Sequence, residues 1–132
     1  MMPTSTYDPN DVAMIVEGTY LTGFSEDMVE IDKSENNYET KVGAQGDVIR
    51  NRVNNPTGTI TVTLLPSSPQ VAFLDSLANS GKLVPVSVIH SGTPKETTTV
   101  TEAYVTKPAT RTYGKEAEDR EYEIQCLDLD MQ

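Results

Sequence analysis

GTITVTLLPSSPQVAFLDSLANSG, residues 58–81, runs an alternating strand directly into a helix. Ile60, Val62 and Leu64 fall on one side of the strand, and Thr59, Thr61 and Thr63 on the other. That period of two gives one face for a core and one for water or a neighbour. Leu65 and Pro66 stop the strand. Ser68 stands where an N-cap is needed, and Pro69 takes the first helical position, where its missing N–H costs nothing. Val71, Leu74 and Leu77 or Ala78 then recur at helical spacing with Phe73 beside them, and Gly81 supplies a left-handed stop. The spacing predicts a helix over 68–80 of about three turns.

Outward from this unit the chain reads as strands. DVAMIVEGTYLTGF, residues 11–24, gives two short strands hinged at Gly18. DMVEIDKSE alternates Val29 and Ile31 with Glu30 and Asp32, a half-buried strand with an acidic wet face. After the helix, LVPVSVIHSG and ETTTVTEAYVTKP read as two more, the second with Thr98, Val100, Glu102 and Tyr104 in one alternating set. EDREYEIQCLDLDM turns Tyr122, Ile124, Cys126 and Leu127 or Leu129 toward a core. Residues 1–10, with Pro3, Ser5, Asp8 and Pro9, read as a flexible N-terminal arm, and 11–132 as one domain.

One segment departs from this pattern. Residues 34–56, SENNYETKVGAQGDVIRNRVNNP, are polar and rich in Asn and Gly, with few aliphatic side chains. Connections of that length are uncommon in compact domains and usually carry a function. The reading is an extended arm or hairpin that turns at GAQGD, with Arg50 and Arg52 making its second half basic in an acidic chain.

The chain of 132 residues is 36% hydrophobic, with no Trp and two Phe, so its core is thin and aliphatic and gains from neighbouring subunits. Twenty acids against ten bases give a net charge of -10, which disfavours a nucleic-acid clamp. A single cysteine makes no internal disulfide, and the N-terminal stretch has neither signal-peptide nor membrane-span character. The expectation is a soluble chain made in the cytoplasm, without membrane anchoring.

The residues nominate little chemistry. His90, the only histidine, has no nucleophile and orienting group in a motif around it, and reads as the end of a surface strand. Asp128 and Asp130 lack the glycine turn and further oxygen ligands of a calcium loop, so a solvated strand face is the better reading. Cys126 sits in an alternating strand as a buried, inert thiol. GAQGD has no following Lys-Ser or Lys-Thr and opens no helix, which excludes a phosphate loop. Neither catalytic, cofactor nor metal residues are expected. A self-associating β protein fits, because exposed edges and an unsupported arm become contacts in a ring; a monomeric β-sandwich binding or adhesion module is the alternative.

Residues 42–77, VGAQGDVIRNRVNNPTGTITVTLLPSSPQVAFLDSL, resemble the tail-tube proteins of phages. The matching elements are a Gly-x-x-Gly-acid turn, a short strand, an Asn-rich link, the Thr/Val strand and the Ser-Pro-started helix, in that order. The resemblance implies a mainly β fold of two packed antiparallel sheets, sandwich- or barrel-like, with one flanking helix and a long arm. It implies a hexameric ring with an inner β-barrel, stacked into the hollow tube through which DNA is ejected without specific binding. Implied partners are further copies of the chain, a sheath protein as in a contractile tail, a tape-measure protein and baseplate or terminator proteins. The implied location is the virion tail, after assembly in the host bacterial cytoplasm. Whether a sheath surrounds the tube, and whether the particle is a phage or a bacteriocin, stays open.

On that resemblance Tyr38, Lys41, Val42, Gln45, Asp47, Ile49, Arg50 and Arg52 form the assembly arm, and Glu30, Asp32, Glu121 and Glu123 are lumen candidates. A duplex with one charge per ~1.7 Å would adhere to a basic bore and slide through an acidic one.

Overall fold

A computed structural model describes residues 4–92 and 94–132. The elements in chain order are β1 (Val12–Val16), β2 (Thr19–Tyr20), β3 (Phe24–Lys33), β4 (Tyr38–Val42), β5 (Val48–Arg52), β6 (Gly58–Leu64), α1 (Val71–Ser80), β7 (Val84–His90), β8 (Glu96–Val105), β9 (Arg120–Cys126) and β10 (Asp130–Met131). The protein is mainly β, with two antiparallel sheets and one helix, as the resemblance implies.

The larger sheet has eight strands in the order β2-β1-β7-β8-β9-β6-β3, with β10 added to β8. Met14 and Val16 from one end share a single core with Ile60, Val62 and Leu64 from the other, so the sheet folds over on itself to enclose it. Strands β6 and β9 show why: each alternates buried and open positions along its whole length, and their buried residues Val62 and Tyr122, Ile60 and Ile124 lie directly opposite. Leu74 and Leu77 of α1 close the same cluster, completing the core that the stretch 58–81 requires.

The helix starts later than its sequence suggests, at Val71 rather than residue 68. Ser68 is not its N-cap. The Ser68 hydroxyl donates to the Thr22 carbonyl at 2.6 Å, while Val71 N–H reaches the Ser68 carbonyl in a preceding turn. The Ser68 oxygen accepts from the Gln70 N–H at 3.4 Å, so the residue steadies the turn that leads into the helix while Gln70 takes the N-cap position. Gly81 ends the helix in the left-handed conformation at φ 68°, as expected.

Strand β8 also departs from simple alternation. Thr98 and Val100 are buried, but further along the strand Ala103 and Val105 take the core positions, not Glu102 and Tyr104. An extra residue between Val100 and Ala103, opposite the Val84 to Val86 step of β7, shifts the phase. This bulge leaves the amides of Thr101 and Glu102 free of the ladder, and both donate to Asp128 Oδ1 at 3.1 Å. Asp128 is thus a bulge clamp. Hydrogen bonds from Thr101 and the Glu102 amide hold its carboxyl below the usual carboxylate range.

The folded carboxyl titrates lower than the unfolded one, so its contribution is complete above about pH 4 and fades as pH falls through the folded value. Asp128→Ala is expected to cost about 0.5–1 kcal/mol at pH 7, the low end because the group is in water. Urea midpoints of the two proteins should differ at pH 7 and draw together as pH falls below about 4; a gap that keeps its full size as the carboxyl is titrated would refute the clamp.

Of the N-terminal arm expected over 1–10, residues 1–3 lie outside those described. A 3₁₀ turn at Pro9–Asp11 is capped by Asp8, whose carboxylate accepts from Asn10 N at 2.9 Å. Tyr7 lies against His90, with ring centroids 5.5 Å apart.

Candidate assembly surfaces

Lys33 and Gly58 face each other at one end of the β3–β6 pair, and the whole of the segment between them leaves the sheet there. It forms a separate hairpin of β4 and β5, turning through residues 43–47, with Gly46 at φ 91°. The Gly43 N–H donates to the Asp47 carbonyl at 2.7 Å to close the turn. Every residue of both strands is exposed.

Register sorts the arm residues onto two faces, because directly opposed residues of an antiparallel pair share a side. Tyr38 with Arg52, Thr40 with Arg50, and Val42 with Val48 make one face. Glu39 with Asn51 and Lys41 with Ile49 make the other. The first face therefore carries two arginines, no acid and an apolar pair at the tip. Arg50 is stacked on the Tyr38 ring at 4.1 Å, which holds the guanidinium over the hairpin. Gln45 and Asp47 sit in the turn, off both faces.

The second surface lies on the outer side of β9, β6 and β3. Glu30, Thr61 and Glu123 form one cross-strand row, Asp32, Thr59 and Gln125 the next, and Thr63 stands beside Glu121. The four acids Glu30, Asp32, Glu121 and Glu123 are all exposed, and the structure gathers them with the threonines on a single face. The matching outer rows of β1, β7 and β8 are uncharged: Ala13, Ile89 and Thr97, then Ile15, Ser87 and Thr99. Acid is sparser on that half, where exposed Glu102 lies in β8 and Asp130 of β10 stands opposite Thr99.

That face deepens at the Leu64 end. Phe24 pairs with Leu64 and Val29 with Val62, so Ser25 to Met28 bulge outward opposite the single residue Thr63. This bulge and the residues leading into β9 border an open trough of about 1150 Å³. Glu26, Asp27, Glu118 and Asp119 line its rim, and Ser25 Oγ donates to Asp119 Oδ2 at 2.5 Å across it. Sequence reading missed these four residues as a group. The acid pairs at 26–27 and 118–119 are visible in the chain, but only the β9-β6-β3 order brings them together.

Cys126 and Tyr122 belong to the core instead. Burial, reinforced by the nearby Asp128 charge, pushes the Cys126 thiol up to about 11. No cluster of three or more His, Cys, Asp or Glu with metal-holding geometry occurs among the described residues.

The family described as bacteriophage PhiTE tail tube protein matches residues 5–132, arm and both sheets included. The chain belongs to this tail tube family. No curated protein matches it. Among solved structures it is similar to the sheath/tube terminator of an extracellular contractile injection system, PVC, in the extended state. There the TM-score is 0.69 at 12% identity, over 100% of this chain and 98% of that one. It is also similar to the tube-terminating cap of the anti-feeding prophage, with a TM-score of 0.64 at 11% identity, over 100% and 94%. A chain of the PVC sheath-tube complex in the extended state aligns with a TM-score of 0.59 at 14% identity, over 92% and 87%. At such identities the likeness is one of fold.

Tail tube membership makes this a structural component of a phage tail or related injection machine. No helix among the described residues is long and apolar enough to cross a membrane.

Proposed function

We propose that this tail tube protein assembles into hexameric rings that stack into the hollow conduit for DNA. The family match over residues 5–132 carries this reading, because it takes in both the closed core and the exposed arm. The terminal strands of the large sheet support it. Strands β2 and β3 each end the strand order, and β3 offers a ten-residue edge with no partner among the described residues. A long free edge is an aggregation hazard in a monomer. In a head-to-tail ring the edge of one subunit is covered by the next, and a rotation that closes removes the hazard.

The acidic outer face of β9, β6 and β3 is assigned to the bore. Repulsion there extends roughly 8 Å at physiological salt, enough to keep a duplex off the wall without binding it. Replacing Glu30, Asp32, Glu121 and Glu123 together by Lys is expected to leave tubes intact and to cut DNA delivery at least ~10-fold, by adhesion of phosphates to the new lysines. Unchanged delivery by tails carrying that quadruple variant would remove these residues from the bore.

A second reading is a terminating ring, a single hexamer that ends the tube. The alignments with the PVC terminator and the anti-feeding prophage cap favour it. Sheath, tape-measure and baseplate proteins are the further partners on either reading. Negative-stain electron microscopy of the purified full chain separates the possibilities. Tubes of growing length support the conduit, isolated six-fold rings support the terminator, and small particles of monomer mass leave only the binding-module alternative.

A further inference from the structure

Two legs, residues 34–37 after β3 and 53–57 before β6, join the arm to the large sheet. Backbone pairing holds both ends of this joint. Ser34 N–H donates to the Thr57 carbonyl at 3.2 Å on the sheet side, and Val53 N–H to the Asn37 carbonyl at 2.8 Å on the arm side. Between those bonds no backbone hydrogen bond crosses from leg to leg among the described residues, and an open cavity of about 450 Å³ lies there.

Lys33, the last residue of β3, reaches this cavity from the sheet, and Arg52, the last residue of β5, from the arm. Tyr38, Asn37 and Asn54 line it with them, and no Asp or Glu does. Among the described residues the ion pairs are Lys82 with Glu17 and Arg111 with Asp75, so neither cavity cation has a carboxylate partner there. Glu35, the acid on the first leg, is held by Asn55 Nδ2 at 3.1 Å. Lys33 Nζ donates to Asn37 Oδ1, which commits that oxygen and leaves the Asn37 amide nitrogen as a donor. Arg50, stacked on the Tyr38 ring at 4.1 Å, places a third positive charge nearby. A chain of net charge -10 has acids to spare for its cations, yet these stand together without one.

We infer that this joint binds a free phosphate-type oxyanion, which bridges Lys33 of the sheet and Arg52 of the arm. The ammonium, the guanidinium, the amide nitrogens of Asn37 and Asn54 and the Tyr38 hydroxyl all donate, and a tetrahedral oxyanion accepts in several directions at once. Two cations favour a dianion over the single charge of a phosphodiester. The volume admits such an ion with part of its hydration shell, since one water takes only ~30 Å³. A bound anion would cross-link the legs where the backbone does not, so the arm would be held at its root only when the ion is present. Every group involved belongs to one chain, and the site is independent of the tube reading.

Hydrogen exchange read by mass spectrometry on the full chain tests this, below the concentration at which any polymer sediments. Inorganic phosphate is titrated in while sodium chloride keeps the ionic strength at about 0.15 M. Exchange across 34–38 and 53–57 is expected to slow in a saturable way, with the large sheet unchanged. Lys33→Gln and Arg52→Gln should each raise the phosphate needed for half protection at least ~10-fold, the loss of one charge-assisted hydrogen bond. Lys41→Gln removes the same charge from the other face of the arm and should behave as wild type. A thymidine dinucleotide, which offers one diester, should be needed at least ~10-fold above inorganic phosphate. Circular dichroism checks that each variant is folded. Absence of saturable protection, wild-type protection in Lys33→Gln or Arg52→Gln, an equal loss in Lys41→Gln, or a dinucleotide that protects as well as phosphate would overturn the site.

Discussion

Replacing residues 36–54 by a short Asn-Gly turn leaves a folded domain that no longer forms tubes. The arm makes no contribution to the core, since every residue of β4 and β5 is exposed and none belongs to the buried cluster. Its base is already hairpin-like: Ser34 N–H donates to the Thr57 carbonyl at 3.2 Å, continuing the β3–β6 register, so a tight turn can close there. Changing the length of such a connection alters stability by only about 0.6 kcal/mol per twofold change. The expected result is a thermal midpoint within a few degrees of wild type and no sedimenting polymer at concentrations where wild type assembles fully. A deleted chain that still makes tubes of normal length would show that the arm is dispensable.

Tyr122→Ala is expected to destabilise the monomer by about 3–5 kcal/mol, enough to unfold a marginal domain. Tyr122 is fully buried in β9, the largest of the completely enclosed side chains. Its hydroxyl lies 2.8 Å from Asp75 Oδ1 and 3.1 Å from the Val71 carbonyl, tying the sheet to the first turns of α1. Arg111 Nη2 takes the other oxygen of Asp75 at 3.2 Å. Tyr122→Phe keeps the packing and removes only the hydroxyl, leaving a buried carboxylate with fewer partners, and should cost about 1–3 kcal/mol. Arg111→Ala, at a half-exposed site, should cost under ~1 kcal/mol. Urea unfolding of the three variants gives the order; a Phe variant as stable as wild type would mean that the hydroxyl link contributes nothing.

The same region weakens the fold in alkali. Burial, then the hydrogen bond to Asp75, raises the Tyr122 hydroxyl far above its ordinary value, and burial raises Cys126 to about 11. Both groups are neutral when protonated, and the fold disfavours their anions. Their contribution is complete below the unfolded values, roughly 8.5 for the thiol and 10 for the phenol, and is lost as pH climbs toward the folded ones.

Strand β6 illustrates what a short stretch of sequence can specify. Its alternation of Ile60, Val62 and Leu64 with threonines shows which side is buried, and no neighbour is needed to read it. The same holds for β9, where Tyr122, Ile124 and Cys126 all reach the core. The arm was legible as well, because a long polar stretch with a Gly-rich centre has no other place than a surface. Where the reading failed, an unseen partner had changed the local preference. Ser68 has the composition of a cap, but its hydroxyl is fixed on the Thr22 carbonyl in a turn before α1, which begins three residues later; Glu102 and Tyr104 share the parity of Thr98 and Val100 and are moved out of that set by one extra residue in β8.

The sequence by itself determined the strand faces, the single helix, the exposed arm and the excess of acid, since each depends on the period and composition of one segment. Only the tertiary structure decided that Glu30, Asp32, Glu121 and Glu123 share a face with the threonines of β6, and that the arm and the acidic trough occupy opposite ends of it. Those relations depend on strand order and on register, which are set by packing between segments far apart in the chain, and a slip of one residue would have turned every one of those side chains to the other side.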